Sequence, residues 1–260
     1  MEIINQEAQR IVGANVPKIV HYAWFGAKMP DEVEKRVLRW KAVLPDWEFI
    51  EWNESNWDVN RYNFSSDMYK QGKLGYVADP LRFDVLNRFG GVYLDTDMEI
   101  KKDLSSFLND PMTWGFMYEN SLLTSFIMSV PQHPLLTVIL NTYQGEANTE
   151  ITEELYSMTS NPIITKIFKK QFSNFRLNGS NQVLSQGVHV YKLDYFSYLS
   201  HDSKANFAEH LFMNSWGSAN HGVRGRIKYF VKMYFPYLWA RISQRRGIKS
   251  ALHDGLPLEK

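Results

Sequence analysis

The order of hydrophobic and polar positions at the start of the chain predicts a strand, a helix and a second strand. Residues 18–25 form a short β-branched and aromatic run that ends before a glycine, which is typical of a buried strand entering a loop. Over residues 31–44 apolar side chains recur at three- and four-residue steps, with Asp31 as the N-cap of an amphipathic helix and Pro45 as its stop. Residues 47–52 alternate and predict the second strand. Because the strands flank a helix, we expect parallel pairing through a right-handed crossover and an α/β fold.

A second helix leads into the strongest local motif. It is predicted to begin at Asp79, with Pro80 at its first position where the missing N–H costs nothing, and to end at Gly90-Gly91. Val92-Tyr93-Leu94 then form a short apolar strand with Asp95-Thr96-Asp97 at its carboxyl end. Ligands of open α/β sheets collect at the carboxyl ends of strands. A candidate ligand site therefore follows residue 94.

The remaining pattern predicts one domain with an appended tail. We assign residues 1–222 to the domain and residues 223–260 to the tail. Within the domain, strands are expected near residues 113–118, 126–130 and 189–193, helices at 134–143 and 162–172, and a loop at 200–206.

Composition restricts the class of protein further. The chain has 260 residues, 44% hydrophobic and 22% charged, which excludes disorder, collagen and coiled coil. A net charge of +1 does not favour nucleic-acid binding. Because there is no cysteine, any metal must bind oxygen or nitrogen ligands. The amino terminus lacks a signal-peptide pattern and no apolar run reaches about 18 residues, so we expect a cytoplasmic protein that can bind a membrane surface.

Asp95-Thr96-Asp97 is suited to metal binding. Two carboxylates one residue apart can hold a hard divalent cation together with a diphosphate, and Mg²⁺ and Mn²⁺ prefer such oxygen ligands. Two other classes stay open on the residues alone. A phosphatase of the haloacid dehalogenase type also has Asp-x-Asp after an apolar strand, although Glu99 stands where its motif has Thr. The second open class is a non-catalytic carbohydrate-binding or scaffold protein, in which the motif would be a solvated turn.

Several stretches, in order along the chain, carry a more specific signal. They are PKIVHYAWFG at residues 17–26, EWN at 51–53, ADPLR at 78–82, GGVYLDTD at 90–97, QHP at 132–134, SNPIIT at 160–165 and HLFMNSW at 210–216. Together they closely resemble glycosyltransferase family 32, the DXD-motif sugar transferases that include bacterial capsule enzymes and Golgi mannosyltransferases. The family is more distantly similar to the large glucosylating toxins. The resemblance covers most of the chain, from about Pro17 to Trp216.

The resemblance implies a GT-A fold and a metal-dependent, retaining glycosyltransferase. The expected cofactor is Mn²⁺ or Mg²⁺. The expected donor is a nucleotide sugar, with a UDP-sugar favoured, and the transferred group is a hexose or N-acetylhexosamine. A glycan or lipid-linked oligosaccharide is the expected acceptor, in capsular or exopolysaccharide synthesis.

The match also implies roles for three nucleotide-binding residues. Trp24 would stack on the base, Asn53 would bond near the base or ribose, and Tyr93 would face the ribose. A core tryptophan and a simple turn residue are the alternatives for Trp24 and Asn53.

Four further residues would serve the sugar, the phosphate and the metal. By the match, Asp79 accepts from sugar hydroxyls and Arg82 contacts sugar or phosphate and neutralises the leaving group. On the predicted helix these two share one face of the first turn, where an N-cap and a surface cation are the alternative. Asp97 is the expected metal ligand, and Asp95 would bind metal or the ribose and sugar hydroxyls.

The stretch 210–216 would close over the diphosphate. The resemblance implies that His210 or Asn214 completes the metal shell, that Ser215 contacts phosphate, and that Trp216 covers the site. Leu211 and Phe212 stand where the family often has a second aromatic or histidine.

Two routes to retention stay open. The acceptor can attack from the face that the leaving group departs, or a protein nucleophile can form an intermediate. Glu119, Asn120 and Asn161 are the candidates for that nucleophile.

The tail combines cations with aromatic residues. From residue 224 to 249 it has eight cations and no acid, and residues 227–238 contain an apolar stripe at helical spacing, with a kink expected at Pro236. Such a helix suits an anionic membrane surface, here the inner face of the plasma membrane. A helix packed on its own catalytic domain, or a dimer contact, is the alternative. The cations are Arg224, Arg226, Lys228, Lys232, Arg241, Arg245, Arg246 and Lys249.

Overall fold

The computed structural model describes residues 15–145, 149–213, 231 and 234–260. The strands in that part of the chain are β1 (Ile19–Ala23), β2 (Glu48–Trp52), β3 (Gly91–Leu94), β4 (Met98–Ile100), β5 (Met112–Tyr118), β6 (Ser121–Ser129), β7 (Gln182–Val183), β8 (Val188–Tyr191) and β9 (Ala208–His210). The α-helices are α1 (Asp31–Val43), α2 (Asn63–Lys70), α3 (Leu74–Phe89), α4 (Pro134–Gln144), α5 (Thr149–Glu154), α6 (Ser160–Gln171) and α7 (Pro236–His253).

A mixed seven-stranded sheet forms the centre of the fold. Its order is β2-β1-β3-β6-β5-β8-β7. The pairs β1–β2, β1–β3 and β5–β8 are parallel, while β6 and β7 run against their neighbours. The predicted α/β class with a mixed, mainly parallel sheet flanked by helices is confirmed, and the arrangement agrees with the GT-A type that the resemblance implies.

The two faces of the sheet bury separate apolar clusters. One cluster contains side chains of β5 and β6 together with those of α3, α4 and α6. The other contains side chains of β1 and β3 together with those of α1 and of the small antiparallel sheet β4–β9. The small sheet is held to α1, since Trp40 donates from Nε1 to the Met98 carbonyl at 2.9 Å. Each cluster therefore supports one side of the strand that leads to Asp95.

The turn into β3 depends on glycine. Gly91 has a φ of +100°, and a Cβ there would lie 2.5 Å from the Ile19 carbonyl oxygen on β1. His21 is buried beside this turn, with Nε2 2.8 Å from the Gly90 carbonyl, while its Nδ1 accepts from Trp52 Nε1 at 3.1 Å. Burial lowers the pKa of His21 to about 4, so the ring is neutral and donates to Gly90. The neutral ring fixes the close approach of β3 to β1.

The predicted start of the second helix was wrong. Helix α3 begins at Leu74, so Pro80 lies inside it and Asp79 and Arg82 are in its middle rather than its first turn. All ten residues from Val77 to Leu86 are buried, which means that the helix lies between sheet and neighbouring helices on every side. Tertiary burial therefore outweighs the hydrogen bond lost at Pro80.

Two smaller differences concern helices α1 and α2. Asp31 is the first residue of α1, and the N-cap is Pro30, which has extended backbone angles. Helix α2 was not predicted at all, because its eight residues include only a few apolar positions, of which Phe64 and Met68 are buried.

The carboxyl-terminal helix α7 begins at Pro236, whose missing N–H is tolerated in the first turn. Val231 and Tyr234, before the proline, are also helical. The preceding Phe235 has non-helical backbone angles and donates from its N–H to the Val231 carbonyl at 2.9 Å. Of the tail's eight predicted cations, Arg241, Arg245, Arg246 and Lys249 lie on α7, and the other four lie outside the described residues.

Candidate active site

Three adjacent parallel strands each end in a residue that the resemblance singled out. Register pairs Ala23 with Trp52 across β1 and β2, and His21 with Tyr93 across β1 and β3. Trp24, Asn53 and Asp95 directly follow these strands, so they lie along one edge of the sheet. The crossover topology therefore brings together residues that are far apart in the sequence.

A buried ion-pair cluster lies behind Asp95. Arg82 donates from Nη2 to Asp79 Oδ1 at 2.7 Å, and its Nη1 is 3.4 Å from Asp95 Oδ2. The same Nη1 donates to the Thr124 carbonyl at 2.7 Å. Asp79 is 6% exposed and Arg82 is 4% exposed, so neither is the N-cap or surface cation of the alternative interpretation. The guanidinium is fixed between two carboxylates.

The electrostatics of this cluster are unusual for a protein interior. Burial raises the pKa of Asp79 to about 6, with Arg82 opposing the rise and Asp95 adding to it. Burial also disfavours the charge on Arg82, but the carboxylates of Asp95 and Asp79 outweigh that effect and hold its pKa above the ordinary value. The cluster thus has more carboxylate than cation, and a bound cation would stabilise it.

Tyr93 lies under the cluster. Its side chain is 1% exposed, and the Arg82 guanidinium carbon is 5.0 Å from its ring centroid. Burial raises the pKa of its hydroxyl, and the neighbouring Asp95 carboxylate raises it further. Tyr93 therefore supports Arg82 and Asp95 from the core, and the ribose contact stays a prediction.

Two polar residues of helix α6, Ser160 and Asn161, extend the cluster through contacts with Thr124 on β6. The Asn161 side-chain oxygen accepts from the Thr124 N–H at 3.0 Å and from its hydroxyl at 2.6 Å. The Ser160 and Thr124 hydroxyl oxygens are 2.8 Å apart, and Ser160 opposes the rise in the pKa of Asp79. Thr124 was missed from sequence because it sits in an unremarkable apolar strand.

The three candidates for a protein nucleophile are separated by the structure. Asn161 is part of the network around Arg82. Asn120 is fully buried and donates from Nδ2 to the carbonyls of Ile248 at 3.2 Å and Leu256 at 2.7 Å, so it holds the carboxyl terminus. Glu119 is exposed in the β5–β6 turn, against Gly179. Asn161 is thus the candidate that the fold places beside Asp79 and Arg82.

Asp97 joins the DXD turn to the segment that follows β9. Its Oδ2 accepts from the Met213 N–H at 3.1 Å, and its carbonyl accepts from the Leu211 N–H at 2.9 Å. His210 Nε2 is 3.4 Å from Asp97 Oδ1. Asp97 is therefore partly buried and hydrogen-bonded, rather than the solvated carboxylate expected at a strand end.

Arg36 is a functional candidate that the sequence analysis missed. From α1 it donates through Nη1 to the Thr96 carbonyl at 2.6 Å, and its Nη2 is 2.9 Å from Met213 Sδ. It therefore contacts both the DXD turn and the segment after β9. The helix buries Val33, Arg36, Val37 and Trp40. The position of Arg36 on this buried face is the feature that could have identified it as a candidate.

The residues around the DXD turn fit a divalent cation in donor chemistry. Asp95 and Asp97 offer the carboxylate oxygens that Mg²⁺ and Mn²⁺ prefer. In the described part of the chain, His210 Nδ1 is a buried nitrogen without a hydrogen-bond partner, while Nε2 faces Asp97. No group of three or more His, Asp or Glu side chains there is arranged to hold a metal by itself. Asn214, Ser215 and Trp216, the other residues expected at this site, lie outside the described residues.

A cavity of about 320 Å³ lies beside the ends of β1 and β2. Trp24 and Asn53 are among its lining residues, and Trp24 is half-buried, with Nε1 donating to the Ala27 carbonyl at 2.8 Å. The side-chain oxygen of Asn53 accepts from the N–H and the hydroxyl of Ser55, so Asn53 does shape a turn. The proposed contacts of these two residues with a nucleotide stay predictions. The lining residues are Trp24, Gly26, Ala27, Lys28, Met29, Glu34, Glu51, Asn53 and Glu54.

We expect Trp24→Ala to weaken donor binding by roughly 1–3 kcal/mol, the usual value of stacking between an aromatic side chain and a base. Turnover of bound donor should change little, because the base is remote from the reacting carbon. Titration calorimetry with the nucleoside diphosphate, combined with single-turnover kinetics, measures the two effects separately. A lower melting temperature with unchanged affinity would instead identify Trp24 as a core residue.

Comparison with known proteins finds a family that part of the chain matches. Residues 30–119 match the family described as glycosyltransferase sugar-binding region containing DXD motif. The segment includes Asp79, Arg82, Asp95 and Asp97. The resemblance to DXD-containing glycosyltransferases is thereby confirmed.

The chain is also similar to individual curated proteins and to a solved structure. The chain is 25% identical over 211 residues to the mannosyl phosphorylinositol ceramide synthase CSH1 of Saccharomyces cerevisiae, covering 75% of this chain and 56% of that protein. It is 29% identical over 142 residues to inositol phosphoceramide mannosyltransferase 2 of Schizosaccharomyces pombe, covering 51% of this chain and 39% of that protein. Among solved structures, the PaToxG glycosyltransferase overlaps with a TM-score of 0.46 and 14% identity, covering 65% of this chain and 76% of that chain. The chain spans about half the length of the first curated relatives it matches.

Proposed function

We propose that the protein is a metal-dependent glycosyltransferase that moves a hexose or N-acetylhexosamine from a nucleotide sugar to a glycan acceptor with retention. The observation that carries the proposal is the pairing of the DXD carboxylates, at the carboxyl end of β3, with the buried Asp79–Arg82 pair behind them. A solvated turn in a scaffold protein has no need of a buried guanidinium shared by two carboxylates, since burying such charges is costly.

The names of the relatives narrow the choice of donor sugars to test. Two of them are named as mannosyltransferases or mannosyl-transferring synthases acting on inositol phosphoceramides. We therefore place mannose first among the hexoses to test, on either a guanosine or a uridine nucleotide, and a UDP-sugar stays a prediction. The same names favour a lipid-linked acceptor, and a role in capsule or exopolysaccharide synthesis stays a prediction too.

The chain's own residues would bind and orient the donor. Asp79, with one oxygen held by Arg82, has acceptor capacity left for sugar hydroxyls. Arg82 keeps positive charge next to Asp95 and so stabilises negative charge that develops as the nucleoside diphosphate departs. Asp95 and Asp97 would hold the cation, which when bound supplies further neutralisation of the leaving diphosphate.

Retention of the anomeric configuration is best explained by attack of the acceptor on the same face of the sugar from which the leaving group departs. Of the three candidates for a nucleophile, only Asn161 lies in the described cluster, and its side-chain oxygen already accepts two hydrogen bonds from Thr124. Because both lone pairs of this amide oxygen are already used, a covalent intermediate on Asn161 is disfavoured.

A donor panel tests the proposal. Purified protein with Mn²⁺ or Mg²⁺ is incubated with UDP- and GDP-sugars, and nucleoside diphosphate release is measured by chromatography. We expect slow, metal-dependent hydrolysis of one donor, abolished by EDTA. Failure to release nucleoside diphosphate from any donor, with sugar binding retained, would support a carbohydrate-binding protein. Release of inorganic phosphate from simple phosphoesters would support a phosphatase.

A further inference from the structure

Contacts with the rest of the protein fix the rotation of helix α7 about its own axis. Gly247 packs against the ring of Tyr118, where any Cβ would collide with the ring. The Tyr198 hydroxyl is 2.9 Å from the Ser243 hydroxyl, and Asn120 donates to the Ile248 carbonyl. The buried side of the helix consists of small residues, Ala240, Gly247 and Ala251. The setting determines which side chains face outward.

The outward face of α7 is cationic with apolar ends. Leu238 is 52% exposed and Leu252 is 47% exposed, and between them the exposed Arg241, Arg245 and Lys249 follow at three- and four-residue steps. In the described part of the chain none of these three cations has an ion-pair partner within 4.0 Å, and the sequence of α7 contains no Asp or Glu. Exposed Tyr234 and Phe235 directly precede the helix.

Helix α7 lies at the same edge of the sheet as the candidate active site. Strand β5 runs in the direction of β3, since each is antiparallel to β6. Tyr118, which contacts α7, ends β5 as Leu94 ends β3.

A short series of contacts links α7 to the DXD motif. Beyond Ser243 and Tyr198, the Tyr198 ring is 5.0 Å from Phe212, whose ring is 4.3 Å from His210, the neighbour of Asp97. A surface bound by α7 would therefore border the site.

We propose that the outward face of α7 docks the protein on an anionic bilayer surface. Arginine and lysine heads attract anionic headgroups, and Leu238 and Leu252 are placed to enter the boundary between headgroups and acyl chains. No described helix is long and apolar enough to cross a membrane. Docking at this edge would present a lipid-linked acceptor to the candidate site, and the inner face of a plasma membrane offers the required negative charge. Binding to lipid is independent of whether the proposed transfer reaction takes place.

Vesicle flotation with the full chain tests the proposal. The variant R241E/R245E/K249E reverses three charges on the outward face. The matched control K18E/K35E/K41E reverses three exposed lysines, one directly before β1 and two on α1. It changes the net charge by the same amount as the α7 variant. We expect wild type and control to float with vesicles of phosphatidylcholine and phosphatidylglycerol, and the α7 variant to lose binding on the order of a hundredfold. Binding of wild type should weaken at high salt and on vesicles of phosphatidylcholine alone.

Charge reversal leaves the buried side of α7 in place, whereas truncation would expose Tyr118 and leave the Asn120 amide unpaired. Circular dichroism and the melting temperature should confirm that both variants fold. The proposal is overturned if the α7 variant and the control float equally, or if wild type does not bind anionic vesicles. It is also overturned if the α7 variant only breaks a dimer, seen by sedimentation, while lipid binding is absent. Because flotation needs no donor or acceptor, a protein that floats but releases no nucleotide would disprove the proposed function alone.

Discussion

Replacement of Asp97 by alanine should abolish donor turnover and metal-dependent nucleotide binding. Loss of one ligand from a clamp that holds a metal and a diphosphate removes several kcal/mol of transition-state stabilisation, on the order of 10³-fold in rate. A modest loss of stability is also expected, since Asp97 accepts from the Met213 N–H and lies beside His210. Donor hydrolysis and calorimetric titration of the nucleoside diphosphate with and without Mn²⁺ measure the effect.

Asp46→Ala is the matched control, because Asp46 is an exposed aspartate next to β2 and outside the candidate site. It should retain activity, metal dependence and melting temperature. An Asp97→Ala protein that keeps full activity after EDTA treatment would falsify the metal assignment. If activity falls while metal-dependent nucleotide binding is unchanged, Asp97 acts only by holding the segment after β9.

The part of the fold that leads to the site could be predicted from local sequence. Strands β1 and β3 are short apolar runs bounded by glycine, and helix α1 has a regular apolar stripe. The local sequence of each element therefore predicts its secondary structure. The strand–helix–strand order then favours parallel pairing, and the crossover between such strands is right-handed. The position of the DXD turn at a sheet edge follows without knowledge of long-range contacts.

The middle of α3 could not be predicted in the same way. Asp79-Pro80 has the form of a helix start, yet the helix continues through it because every side is covered by other elements. A helix buried on all sides shows no polar face, so periodicity gives no sign of its true beginning. The consequence for the site is large, since Asp79 and Arg82 become a buried pair instead of surface residues.

Contacts between distant segments were also hidden. Arg36 meets the Thr96 carbonyl across 60 positions of sequence, and Thr124 meets Arg82 across 42. Sequence spacing carries information about neighbours on one helix or strand, but these pairs depend on packing between elements. Arg36 was nonetheless marked by its place among the buried residues of α1.

Replacement of Arg82 by methionine should impair both stability and activity. Methionine leaves the Asp79 carboxylate buried without its cation, which is expected to cost about 3–5 kcal/mol of unfolding free energy. The rate of donor hydrolysis should fall by about 10²–10³-fold, the usual effect of removing a preorganised donor from an active site. Urea unfolding and donor hydrolysis, measured on the same preparation, give the two quantities.

The double substitution Asp79→Asn with Arg82→Met separates the two roles. Asparagine removes the unpaired charge, so much of the lost unfolding free energy should return, whereas the rate should not, because the cation beside Asp95 is still missing. Recovery of both stability and rate would show that the pair is purely structural. Loss of rate without any loss of stability in Arg82→Met would show that Asp79 is protonated in the variant. Burial raises the pKa of Asp79 to about 6 even beside Arg82, and removal of this cation should raise it further. Repeating the unfolding measurement from acid to alkaline pH decides between these outcomes, because the cost of the unpaired carboxylate should grow as the pH rises toward the higher pKa of the variant.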